Sequence, residues 1–102
     1  MRIIVLFDLP TSTKEERSAA THFRNFLLDD GFDMLQYSVY SRLCSNRDIA
    51  DKHIRRAKRN APNKGSVRVM NLTEKQFTTM HILVGERSIQ EMRLSARQLT
   101  FF

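Results

Sequence analysis

After Met1 and Arg2 the chain runs through five consecutive apolar residues, Ile3-Ile4-Val5-Leu6-Phe7, and then Asp8-Leu9-Pro10. So short a run of β-branched and aromatic side chains predicts a strand buried on both faces, with Pro10 marking its end. Asp8 then stands at the carboxyl end of a central strand, where the chain leaves the sheet. Thr11-Ser12-Thr13 offers several N-caps, and Thr13 with Glu16 has the spacing of a capping box. Ala19, Phe23, Phe26 and Leu27 recur at helical spacing, Arg17, Thr21, Arg24 and Asn25 fall outside that stripe, and Gly31 closes the helix.

From Met34 to Leu43 strand formers dominate, over a stretch long enough to require a bend, so two short strands breaking near Gln36 to Ser38 are expected. Asn46 caps a second helix whose inner face is Ile49, Ala50, His53, Ile54 and Ala57; Pro62 and Gly65 end it. Val67 to Leu72 reads as the next strand and Met80 to Val84 as another, with Thr73 to Phe77 a turn or short helix between them. Residues 86–102 turn polar and finish on Leu99-Thr100-Phe101-Phe102. Two terminal phenylalanines call for something to dock on, and Leu99, Phe101 and Phe102 are read as a partner-docking segment, an added strand on another chain being one form of it.

Strand, helix, strand, strand, helix, strand is the ferredoxin-like βαββαβ order. The expectation is an α+β domain over residues 1–85, with an extra C-terminal strand and a tail at 86–102. Two helices on one face of an antiparallel sheet leave the other face open, which predicts a homodimer through that open face. The 102 residues make one domain, and an apolar fraction of 41% is ample for a globular core. No secretory signal is read at the start, and no apolar stretch reaches the roughly 18 residues of a membrane span. One cysteine, Cys44, leaves no internal disulfide and reads as a buried structural thiol. A cytoplasmic protein with no membrane partner follows.

Charge narrows the function. Seventeen Lys and Arg against eleven Asp and Glu give a formal charge of +6, and twelve of the seventeen are arginines. Guanidinium forks suit phosphate geometry, so nucleic acid is favoured over a basic surface kept for solubility. Arg17 and Arg24 share one side of the first helix and, with Lys14, can follow a duplex backbone; Arg55, Arg56 and Arg59 form a second basic segment. Asp8 is the sharpest catalytic candidate, since a rigidly held carboxylate can ligate Mg²⁺ for phosphodiester hydrolysis. One carboxylate is a poor magnesium site, and a two-fold axis near Asp8 would supply a second. An Asx-type bond from Asp8 to the loop at Thr11 and Ser12 fits the local sequence equally well. The acids Asp29, Asp30 and Asp33 read as a solvated, turn-forming loop. His53 reads as a satisfied core residue; Tyr37 and Tyr40 suit packing better than base stacking. Ser38 has no triad partners.

Three segments taken together resemble a known family: Phe7-Asp8-Leu9-Pro10, Gly31-Phe32 leading into Leu35-Gln36-Tyr37-Ser38-Val39-Tyr40, and Leu72-Thr73-Glu74-Lys75-Gln76-Phe77. In that order they are similar to the small CRISPR-associated endoribonuclease family, the second Cas protein of spacer acquisition, and to its members from type II systems. The resemblance implies a homodimer held between integrase dimers (the first Cas protein) and gripping duplex protospacer DNA. It also implies a Mg²⁺-dependent endonuclease, acting on RNA or DNA, with Asp8 as catalytic and metal-binding residue and Gln36, Ser38 and Tyr40 as neighbours. A stand-alone nuclease whose chemistry at Asp8 is the main role is the alternative. A ferredoxin-like RNA-binding module is disfavoured, because the first strand lacks the exposed aromatic pairs such modules carry.

Overall fold

Residues 1–87 are described by a computed structural model, in which Arg2–Asp8 forms the central strand, β1. Both edges of β1 are paired antiparallel, with β3 (Val39–Leu43) on one side and β4 (Ser66–Leu72) on the other. A short β2 (Asp33–Gln36) adds to the far edge of β3, giving the order β2-β3-β1-β4. Helices α1 (Lys14–Asp29) and α2 (Arg47–Asn60) complete the expected ferredoxin-like α+β arrangement. The break near Gln36 to Ser38 is a two-residue connection, Tyr37-Ser38. No helix of the described residues is long and apolar enough to cross a membrane.

The caps are those the sequence dictates. The Thr13 hydroxyl accepts from the Glu16 amide at 3.1 Å, and Glu16 returns the bond to the Thr13 amide at 2.9 Å. Asn46 Oδ1 accepts from the Ile49 amide at 2.9 Å. At the other end of α1, Gly31 takes φ +90°, a conformation a side chain would resist. The core lies between the helices and one face of the sheet: Ile3, Val5, Phe23, Leu27, Phe32, Tyr40, Cys44 and Ala50 are buried together, with Phe7 packed against them. Phe7 meets Phe23 edge-on at 5.3 Å and stacks on Tyr40 at 5.7 Å. Such pairs contribute about 1 kcal/mol each beyond the area they bury.

Two expectations are corrected. Met80 to Val84 forms no strand, and the extra C-terminal strand is absent from the described residues. The reason is pairing: the chain beyond the short α3 (Glu74–Thr78) runs where no strand adjoins it, although β4 is an edge strand, and Leu83 is left 91% and Val84 94% exposed. Strand propensity without a neighbouring strand to bond is insufficient. The second sheet face is also less open than expected. Its residues are Arg2, Ile4 and Leu6 of β1 with those paired opposite them, and α3 covers the Arg2 end. Arg2 is 1% and Ile4 4% exposed. The tail at 86–102, with Leu99, Phe101 and Phe102, lies outside the described residues from position 88 onward.

An arginine on a buried strand needs a partner, and α3 supplies it. Arg2 Nε donates to Glu74 Oε1 at 3.1 Å and Nη2 to Oε2 at 3.3 Å, while the guanidinium carbon lies 4.3 Å from the centre of the buried Phe77 ring. The Thr73–Gln76 capping box then starts α3 at the right place. Glu74→Ala leaves a buried cation with only a ring face to meet it, and should cost about 3 kcal/mol. Urea denaturation measures this; a midpoint within error of wild type would mean that α3 does not hold the sheet face.

Candidate functional site

The carboxyl end of β1 is built by its two neighbours. Asp8 pairs in register with Ser66 at the start of β4, and the Phe7 amide donates to the Ser38 carbonyl at 3.0 Å. Ser38 takes φ +62°, a left-handed conformation that lets the Tyr37-Ser38 turn close beside β1. On the opposite side Gly65 has φ +94°, and a Cβ there would stand 2.6 Å from the Asp8 carbonyl oxygen. Two tight turns thus fix the backbone of Asp8 while its side chain stays exposed.

The Asp8 carboxylate makes no hydrogen bond or ion pair among the described residues, so the alternative of an Asx-type bond to Thr11 or Ser12 is not realised. Nor do the described residues gather three or more His, Cys, Asp or Glu side chains around any point. One chain therefore presents one carboxylate, and a magnesium ion here would need oxygens from outside it. Of the expected neighbours, Ser38 adjoins β1 through its carbonyl, Gln36 is exposed at the hairpin, and Tyr40 is buried on the helix side, opposite Val5. Tyr37 stands 74% exposed, so the expected packing role falls to Tyr40 alone. Arg68 is a residue that the sequence reading misses. It pairs with Leu6, and so shares the face on which, by the two-residue period, Asp8 projects. The alternation of Val67 and Val69 with Ser66, Arg68 and Met70 carries that signal.

The basic residues occupy the other side. Lys14 and Arg17 line a shallow groove on α1 with Ser18, Thr21, His22 and Asn25. Arg17 Nη1 donates to the Thr11 and Ser12 carbonyls at 3.2 and 3.4 Å, and Arg24 Nη2 donates to Thr21 Oγ1 at 3.3 Å. On α2, Arg55 and Arg59 are exposed and have no ion-pair partner among the described residues. Arg56 differs: its Nη2 lies 3.0 Å from Asp30 Oδ1. Both helices pack on the Ile3, Val5 and Phe7 face, so their cations and Asp8 belong to opposite sides of the sheet.

Asp30 corrects the reading of a solvated acidic loop. Asp29 and Asp33 are exposed, but the Asp30 side chain is 2% exposed, because the C-cap turn directs it inward against α2. There it meets His53 Nδ1 at 2.7 Å, which confirms His53 as a satisfied core residue. The sequence holds half of that signal, since a histidine on an apolar helix face requires a buried partner.

The chain matches the family model described as CRISPR associated protein Cas2 over residues 1–80. It is 50% identical over 102 residues to the CRISPR-associated endoribonuclease Cas2 of Acidovorax ebreus, covering 100% of both chains. A protein of the same name from Streptococcus mutans serotype c is 51% identical over 87 residues, 85% of this chain and 80% of that one. The crystal structure of Streptococcus pyogenes Cas2 at pH 6.5 has the same fold, with a TM-score of 0.61 and 23% identity, over 82% of this chain and 100% of that one.

Gly65→Ala tests how firmly Asp8 is held. The substitution strains a left-handed position and crowds the Asp8 carbonyl, and should destabilise by about 2 kcal/mol. It should also speed amide exchange across the end of β1 and β4, measured by NMR. Unchanged exchange there would mean that the turn adapts without disturbing Asp8.

Proposed function

Because the chain belongs to the Cas2 family of CRISPR-associated proteins, we propose that it works in the cytoplasm as the central homodimer of a spacer-acquisition complex, binding duplex protospacer DNA between integrase subunits. The observation that carries this reading is the division of the molecule into two sides. Lys14, Arg17 and Arg24 on α1 and Arg55 and Arg59 on α2 lie on the helical side, away from Asp8. A duplex gripped by its phosphates along these helices needs no base contacts and no chemistry. The other sheet face, with Leu43 and Met70 exposed and Ile82 to Val84 beyond it, is left to a second copy of the chain. The terminal Leu99, Phe101 and Phe102 serve as the docking segment for the integrase.

A second reading, a metal-dependent endonuclease on RNA or DNA, draws on the exposed and unbonded Asp8 and on the endoribonuclease names of the relatives. Asp8 from each of two copies would hold Mg²⁺, with Arg68 on the same face to meet a phosphate. The ion would polarise the phosphodiester and lower the pKa of a bound water. In this family member we take that activity as secondary to the adaptor role.

Spacer integration in vitro with the cognate integrase separates the two. Asp8→Ala should support integration at close to the wild-type rate. A loss of more than about tenfold would move the nuclease to the front. Duplex affinity should also fall at least a hundredfold between about 50 and 200 mM salt, read by fluorescence anisotropy; a constant insensitive to salt would sink the phosphate-grip reading.

A further inference from the structure

The cations of α2 do not stand alike. Lys52, Arg55 and Arg59, at i, i+3 and i+7, form an exposed row without ion-pair partners among the described residues. Arg56 turns toward α1, where Asp30 closes the helix. Both oxygens of that buried carboxylate are used, Oδ2 by His53 Nδ1 at 2.7 Å and Oδ1 by Arg56 Nη2 at 3.0 Å. The Asp30 carbonyl accepts from Arg42 Nε on β3 at 2.8 Å. One residue thus joins α1, α2 and the sheet.

We propose that Arg56 is a positioning residue and does not meet phosphate: with His53 and Asp30 it sets α2 against α1, so that the Arg55 and Arg59 row meets the same duplex as Lys14 and Arg17. This rests on the duplex-binding reading above. The physical case is one of exchange. Drawing Arg56 to a phosphate would strip a 2%-exposed carboxylate of the one permanent cation it has among the described residues, and a buried charge left short of partners is expensive. Arg55 and Arg59 have no such partner to give up. The seam between the helices has a second, open end, where Lys14, Ser18 and His22 of α1 face Asn60 to Asn63 at the end of α2. With little packing there, the angle between the two basic rows depends on the Asp30 junction.

The test measures duplex affinity against salt for the full-length protein, well below each variant's melting temperature, alongside thermal denaturation. Arg55→Ala and Arg59→Ala should each reduce the slope of log affinity on log salt by about 0.9 for every phosphate no longer neutralised, with melting unchanged. Arg56→Ala should melt earlier and bind several-fold more weakly at every salt concentration, with the slope unchanged. Arg56→Lys, which keeps a cation within reach of Asp30, should recover most of the affinity. If Arg56→Ala does not fold, Arg56→Gln carries the same comparison. An Arg56 variant that flattens the slope as Arg55→Ala does, with melting unchanged, makes Arg56 a phosphate ligand and overturns the proposal. So does one that melts earlier yet binds as wild type, which makes the junction structural alone. A wild-type protein without duplex affinity would overturn the binding reading itself, a failure distinct from either.

Discussion

Everything in this fold is measured from β1. A strand with both edges paired can neither slide nor turn over, because a one-residue slip would exchange Ile3, Val5 and Phe7 with Arg2, Ile4 and Leu6. The two sets are chemically different. One carries an aromatic that packs on Phe23 and Tyr40; the other carries a guanidinium that can be buried only under Glu74 and Phe77. Register, the seating of the helices and the seating of α3 are therefore one decision. Asp8 inherits it, since a residue at the end of so constrained a strand has its backbone fixed before any side chain contributes.

Among the described residues each sheet face has one buried ion cluster, and the two are built differently. Under α3, Arg2 gains a bidentate carboxylate and a ring face, although its Nη1 and the Ser41 hydroxyl are buried without partners among the described residues. Under α2, Asp30 is satisfied at both oxygens. Stability alone does not account for a buried ion cluster, because an apolar replacement of similar size is often as stable. What charge adds is uniqueness of fit. A carboxylate aimed at His53 and Arg56 tolerates one helix orientation, where leucines would tolerate several.

Much of this is legible in the sequence, for local reasons. Capping boxes at Thr13 and Thr73, the closing Gly31, the bend before Val39 and the inner face of α2 are all written within a few residues of where they act. Long-range facts are not. Nothing near Met80 to Val84 says that the chain beyond α3 runs clear of the outer edges of β2 and β4, and its apolar composition alone suggests a strand. Nothing near Asp30 says that its carboxylate turns inward, since the partners lie 23 and 26 positions away on another helix. Arg56 reads as one of a basic run for the same reason. Run composition records how many charges a helix carries, not which of them are already committed.

That distinction bears on how the two proposed roles would share a chain of this size. The cations facing the helical side would act on a duplex at a distance, through a field that tolerates any base sequence and many small displacements. Phosphodiester chemistry at Asp8 would need oxygens held to within fractions of an ångström, and one chain provides a single carboxylate on an otherwise bare strand end. On the proposed reading, binding would be a property of the helical surface, whereas a metal site would draw its further oxygens from a second copy or from the substrate. Substitutions on the helices would change the first without reaching the second, because the paired sheet stands between them. On the proposed reading, a protein divided in this way would keep its hold on a duplex with its chemistry lost, and would equally lose that hold with its strand end unchanged.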